Sequence, residues 1–117
     1  MSINPLKSEK ILQFSNDVEY KARMSVDTIV RIEQTLGISI LFIANSLSEA
    51  KLTLTQMIQL ITLAIRAGGN DIKEKDVKKL ISGIGLVQAV TMCSELLTLA
   101  LNVPDDDVEE KKSEEVS

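Results

Sequence analysis

The sequence of 117 residues contains no histidine and no tryptophan, has a single cysteine, and is only 3% aromatic. Without histidine there is no imidazole to act as a base or to bind zinc, and Cys93 alone can form neither a zinc cluster nor an internal disulfide. We therefore expect no catalytic residue, no metal and no cofactor. A single cysteine also agrees with a reducing compartment, so we expect a cytoplasmic location.

Positive charge is also scarce, since 13 Lys and Arg stand against 17 Asp and Glu, for a net charge of −4. The lysines of 7–10 and 73–79 are interleaved with acids, so no strongly basic patch is expected. Binding to nucleic acid or to an anionic membrane surface is disfavoured. The longest apolar stretch, 86–101, is too short and too often interrupted by polar residues to span a bilayer.

Aliphatic residues at helical spacing dominate the rest, and 44% of the chain is hydrophobic. The clearest element is a helix over 53–67, where Thr53 and Gln56 form a capping box at the start. Gly68 and Gly69 supply the left-handed residue that ends it. Its predicted buried face consists of Leu54, Met57, Ile58, Leu60, Ile61, Ala64 and Ile65.

The remaining pattern predicts a mainly α (α+β) fold, with an N-terminal β-hairpin followed by a compact bundle of about five short helices. Strict alternation from Val18 to Met24, after an Asn-Asp turn, predicts the hairpin over 10–24. The other helices are predicted over 26–36, 39–48, 73–81 and 86–101. We expect a flexible leader (1–9), one domain (10–103) and a disordered acidic tail (104–117).

The candidate reactive residues have structural interpretations. Cys93 falls on the apolar side of its helix and is predicted to pack in the core as a small hydrophobic residue. Glu33 lies at the edge of an apolar helix face, and we expect it to hydrogen-bond the cap of the next helix at Ser39. The Gly68–Gly69 pair ends a helix, whereas a phosphate cradle requires amides at a helix start.

Surplus hydrophobicity is the feature that points to function. The predicted core face of the last helix consists of Val90, Cys93, Leu97 and Leu101. Met92 and Leu99 stand apart from that face, with Leu96 between them, and Phe42 and Leu63 are strays on other helices. Exposed apolar area usually marks a partner site, so these five residues are the predicted partner-binding set. The alternative is that the hairpin and small helices cover them.

The order of these signals resembles a known family. After the hairpin, the resemblance rests on Ile32-Glu33, Gly37, Leu52-Thr53, Ile65-Arg66-Ala67-Gly68-Gly69, Gly85-Leu86 and Leu96-Leu97. The chain resembles, over about residues 11–102, the small tail protein of gene transfer agents and siphophage-type prophages, encoded between the tail tube and tape measure genes. Lys73 departs from the family's usual Ser or Thr cap, and Asn16-Asp17 replaces a glycine turn.

The resemblance implies a non-enzymatic tail-assembly chaperone, although such proteins are often labelled tail tube protein. It implies binding to the tape measure protein, and to tail tube subunits, in the bacterial cytoplasm before the tail polymerises. Two alternatives stay open: a structural subunit of the tube, or a small helical interaction module unrelated to tails. A tube subunit normally needs a larger sheet than one hairpin. Self-association is also left open by the sequence.

Overall fold

The computed structural model describes residues 8–102, which form a two-stranded hairpin and five helices. The elements are β1 Glu9–Gln13, β2 Glu19–Arg23, α1 Val26–Leu36, α2 Ile40–Ser48, α3 Leu54–Ala67, α4 Glu74–Ile84 and α5 Leu86–Leu101. The predicted fold class is confirmed. Ser8 is buried and Glu9 begins β1, so these two residues of the predicted leader belong to the hairpin. The predicted tail, 104–117, lies outside the described residues.

The hairpin is antiparallel, and its buried apolar residues face one side, whereas Ile11 lies on the other side and is exposed. Leu12 pairs with Tyr20, and the amide of Phe14 donates to the carbonyl of Val18 at 2.8 Å, which closes the turn. The rings of Phe14 and Tyr20 meet edge to face, with centroids 6.1 Å apart. An isolated hairpin is marginally stable in water. This one is stabilised by packing its buried side, which includes Ala22, against α3.

Helix α3 is the centre of the fold, in contact with β2, α1, α4 and α5. Its predicted capping box is present: the Thr53 hydroxyl accepts from the Gln56 amide at 3.1 Å, and the Gln56 side chain accepts from the Thr53 amide at 2.9 Å. The buried residues of α3 are Met57, Ile58, Leu60, Ile61, Thr62, Ala64 and Ile65. Leu54, predicted to be buried with them, lies in the first turn and is exposed.

The end of α3 depends on its glycines in a way the sequence did not predict. Gly68 is right-handed, with φ −77°, and only Gly69, with φ +100°, is left-handed. A Cβ atom on Gly68 would collide with the backbone carbonyl of Lys21 on β2. The side-chain amide of Asn70 donates to the same carbonyl at 2.9 Å. Gly68 is therefore required for close packing of α3 against the hairpin.

Two other helix starts show how local signals set the boundaries. Glu33 accepts from the amide of Ile40 at 2.8 Å, one residue beyond the predicted partner Ser39, whose own hydroxyl accepts from Phe42. The Asp76 carboxylate accepts from the Lys73 amide at 3.1 Å, but a lysine side chain has no acceptor to complete a capping box. The start of α4 therefore has one of the two side-chain hydrogen bonds of a capping box, whereas the start of α3 has both.

Within residues 8–102, no single helix is long and apolar enough to cross a bilayer. The pair α4 and α5 meets the length and composition requirement together, but the two helices are bent by 119° at their junction.

Candidate partner-binding surface

Helix α5 is rotated from its predicted orientation: Cys93 and Leu97 of the predicted core face are buried, but the other two residues of that face are not. Met92 and Leu96, two members of the predicted exposed stripe, are almost completely buried. Val90 and Leu101, predicted to face the core, are 40% and 46% exposed. The assignment of Met92 and Leu96 to an exposed partner surface is therefore wrong.

The reason lies in the small residues of α5. Its buried side is Ala89, Met92, Cys93, Leu96, Leu97 and Ala100, so alanines and the cysteine form much of the contact. Small side chains let the helix axis approach α2 and α3 closely, and the core then centres on them rather than on the largest aliphatic residues. On a helical wheel with 100° per residue, the centre of the predicted core face lies roughly a fifth of a turn from the centre of the observed buried side.

Cys93 is confirmed as a core residue. It is fully buried, and burial raises the pKa of its thiol to about 12 because the thiolate would lose its hydration. A thiol in this state is a poor nucleophile at neutral pH, so Cys93 acts as a packing residue.

The other predicted partner-binding residues have mixed surroundings. Phe42 is 56% exposed, and its neighbour Leu41 is exposed as well. Leu63 is half-buried and packs against the core, and Leu99 does the same at the far end of α5. Contact of Phe42, Leu63 or Leu99 with a partner stays a prediction.

A first apolar groove lies where α4 meets α5. Gly85 adopts φ +90° and ψ 160°, a conformation nearly restricted to glycine, and the chain turns there by 119°. The turn opens a groove of about 480 Å³ against the start of α3. Its lining residues are Leu54, Thr55, Ile58, Lys78, Ile81, Ser82, Gly85 and Leu86. Most of this lining is apolar, with Lys78 as its one charged residue.

A second groove, of about 330 Å³, runs between α2 and α5. It is lined by Ala44, Leu47, Ser48, Val90, Ser94, Leu97, Thr98 and Leu101. Leu86 of the first groove and Val90 of the second are four residues apart on α5, so they are neighbours on one side of the helix. We call Leu86, Val87, Val90 and Leu101 the α5 outer face; all four are exposed, Val87 by 83%.

The α5 outer face can bind an apolar partner surface, and no cluster of metal-binding side chains accompanies it within residues 8–102. The exposure of Leu86 and Val87 was not predicted from the sequence. The signal that could have found them is the position of the alanines: Ala89 and Ala100 mark the centre of the close-packed face, and the large residues that lie to one side of it are the surplus.

These features define a small helical domain with an N-terminal hairpin and two apolar surface grooves. The family model described as phage tail tube protein, GTA-gp10, matches residues 10–103, and the chain belongs to this family. No curated protein and no solved structure gives a significant match. The resemblance noted in the sequence is thereby confirmed at the level of a phage or gene-transfer-agent tail protein.

Proposed function

We propose that this protein is a non-enzymatic tail-assembly chaperone that binds the tape measure protein, and tail tube subunits, in the cytoplasm before the tail polymerises. The observation that carries the proposal is the α5 outer face, with an apolar groove on either side of it. Clustered apolar side chains at a domain surface often mark a partner site.

The geometry fits an amphipathic helix as the bound element. A tape measure protein is a long helical chain that exposes apolar stripes until the tube surrounds it. An apolar stripe at i, i+3, i+4 and i+7 can lie in a groove between two helices, as helix-in-groove complexes do. Complete burial of a Leu or Val side chain contributes about 1.5–3 kcal/mol, and three of the four side chains of the α5 outer face are already about half-buried, so each gains part of that value. The gain favours binding and is offset in part by the translational and rotational freedom lost on association.

A second candidate function, a structural subunit of the tail tube, is favoured by the description of the family itself. Within residues 8–102 the sheet is a two-stranded hairpin with no further strand on either edge, although Asn70 occupies the Lys21 carbonyl on the outer edge of β2. A ring of subunits could form by edge-to-edge strand addition. The strands are five residues long, which gives each edge few backbone hydrogen bonds.

Co-expression with the neighbouring tape measure protein separates the two functions. A chaperone should co-purify with the tape measure protein, increase its soluble yield, and remain a small species by size-exclusion chromatography when expressed alone. A tube subunit should form rings or filaments by itself, visible by negative-stain electron microscopy. Failure to co-purify, or assembly into rings without the tape measure protein, would contradict the chaperone proposal.

A further inference from the structure

A polar pocket lies away from both apolar grooves, against the C-terminal part of α3. Three arginines line it, and each comes from a different element. Arg23 ends β2, Arg31 lies on α1, and Arg66 lies in the last turn of α3. Together they line a pocket of about 370 Å³. The hydroxyl-bearing residues Ser25 and Thr28 belong to the same wall.

The described lining of this pocket is rich in positive charge. Asp27 is the one acid among the described lining residues. Within residues 8–102, neither Arg31 nor Arg66 forms an ion pair with a carboxylate. Arg66 is held in place because its Nε donates to the carbonyl of Ile72 at 2.7 Å, which leaves its terminal N–H groups for another acceptor. The pocket is therefore prepared for an anionic group.

The negative charge of the chain is concentrated in one segment. Residues 1–104 carry eleven basic and ten acidic side chains, so they are close to neutral. Residues 105–117 carry seven acids and two lysines, and the acids begin with three consecutive aspartates at 105–107. The net charge of −4 thus comes entirely from this segment, which has the charge that the arginine pocket lacks.

The described chain ends within reach of the pocket. Asn102, at the end of α5, lines a shallow hollow together with Lys10. Lys10 pairs with Ala22, the neighbour of Arg23 along β2. The 15 residues 103–117 can span at most about 50 Å when extended, and Asp105 lies only three residues, about 10 Å of chain, beyond Asn102.

We propose that the acidic segment 105–115 of the same chain binds in the pocket formed by Arg23, Arg31 and Arg66. Guanidinium groups bind carboxylates through paired, charge-assisted hydrogen bonds, and successive acids of the segment can take turns in binding Arg31 and Arg66. Such a contact requires no fixed fold of the segment, so it is compatible with the composition expected of a disordered tail. It is also expected to weaken as salt screens the charges.

Paramagnetic relaxation in the full-length protein tests this proposal. A nitroxide on Ser113→Cys marks the segment, while the buried Cys93 stays unlabelled. The proposal predicts broadening of the amide signals of Asp27, Arg31 and Leu63, but not of Val87 on the distant start of α5. The broadening should be lost in 1 M NaCl, where the screening length falls to about 3 Å.

Charge-reversal variants supply the matched controls. Arg31→Glu should remove the broadening, whereas Lys79→Glu, the same charge change on an exposed residue of α4, should leave it. Arg31→Gln serves the same purpose if Arg31→Glu does not fold. Broadening that is absent, unchanged in the Arg31 variant, or centred on the lysines of α4 would overturn the proposal. So would broadening seen only when a tagged chain is mixed with an isotope-labelled, untagged one, because the segment would then bind a second copy.

Discussion

The two longest helices, α3 and α5, are both rich in aliphatic residues but use them differently. Helix α3 contacts four elements and buries seven of its 14 residues. The large aliphatic residues of its middle turns are among those buried. Helix α5 buries six of 16 residues, and the four large residues of its outer face remain exposed. Helix α5 also contacts four elements, α2, α3, α4 and β1. Neither apolar content nor the number of neighbours therefore makes a core helix; what differs is the share of its large apolar side chains that those neighbours cover.

The same comparison separates a scaffold from a docking surface. Both ends of α3 are fixed by side chains or backbone: the capping box at Thr53 and Gln56, and the contact of Gly68 with β2. Helix α5 starts at Gly85 without a side-chain cap. We interpret α3 as the element that holds the fold together and α5 as the element that presents an apolar surface.

The largest expected effect comes from a charge placed on the two sides of α5. Leu96→Asp should unfold the protein, because an unpaired carboxylate in the core costs several kcal/mol, comparable to the stability of a small domain. Val87→Asp should leave the fold intact, since Val87 is exposed in the first turn, where an acid is favourable. Circular dichroism and thermal melts measure both. Equal stability of the two variants would show that the faces of α5 are assigned wrongly.

A smaller effect is expected at the contact between α3 and the hairpin. Gly68→Val should destabilise the fold by about 1–3 kcal/mol, because its side chain must displace the Lys21 carbonyl. Gly83→Ala in the last turn of α4 is the control: its Cβ meets no neighbouring atom, and alanine should add stability, by less than the roughly 0.5–1 kcal/mol of a helix interior. Denaturant titration resolves these opposite signs. A neutral Gly68→Val would disprove the close contact.

The smallest effect concerns the helix caps. Thr53→Ala should lower the free energy of unfolding by about 1 kcal/mol through loss of the hydroxyl that accepts from Gln56. Lys73→Thr should raise it by a similar amount, since it completes the half-formed box at the start of α4. Chemical denaturation of the two variants measures both changes. No change in either would mean that these caps do not set the helix boundaries.

Local signals in the sequence predicted most of the fold. The alternation before Met24 gave the hairpin, and the cap residues Ser25 and Thr53 gave the starts of α1 and α3 within one residue. These signals are local because a cap or a turn involves residues that are close along the chain. The capping role of Glu33 was predicted for the same reason, although its partner is the next residue along.

The candidate site could be predicted only in part, because it depends on contacts between distant elements. Phe42 was recognised as lying outside its helix's apolar face, and it is exposed. The orientation of α5 was missed because it depends on how closely Ala89 and Ala100 approach the rest of the fold. The arginine pocket was missed because Arg23, Arg31 and Arg66 are separated in sequence and meet only after β2, α1 and α3 pack.

The most direct test of the account is binding of the tape measure protein to two variants of α5. Val90→Asp places a charge in the second groove, and Gln88→Asp places the same charge on an exposed polar position of the same helix. We expect both variants to fold, with binding by Val90→Asp weakened about a hundredfold or more and binding by Gln88→Asp unchanged, as measured by titration calorimetry. Binding by Val90→Asp at wild-type affinity would contradict the assignment of the α5 outer face as the partner-binding surface.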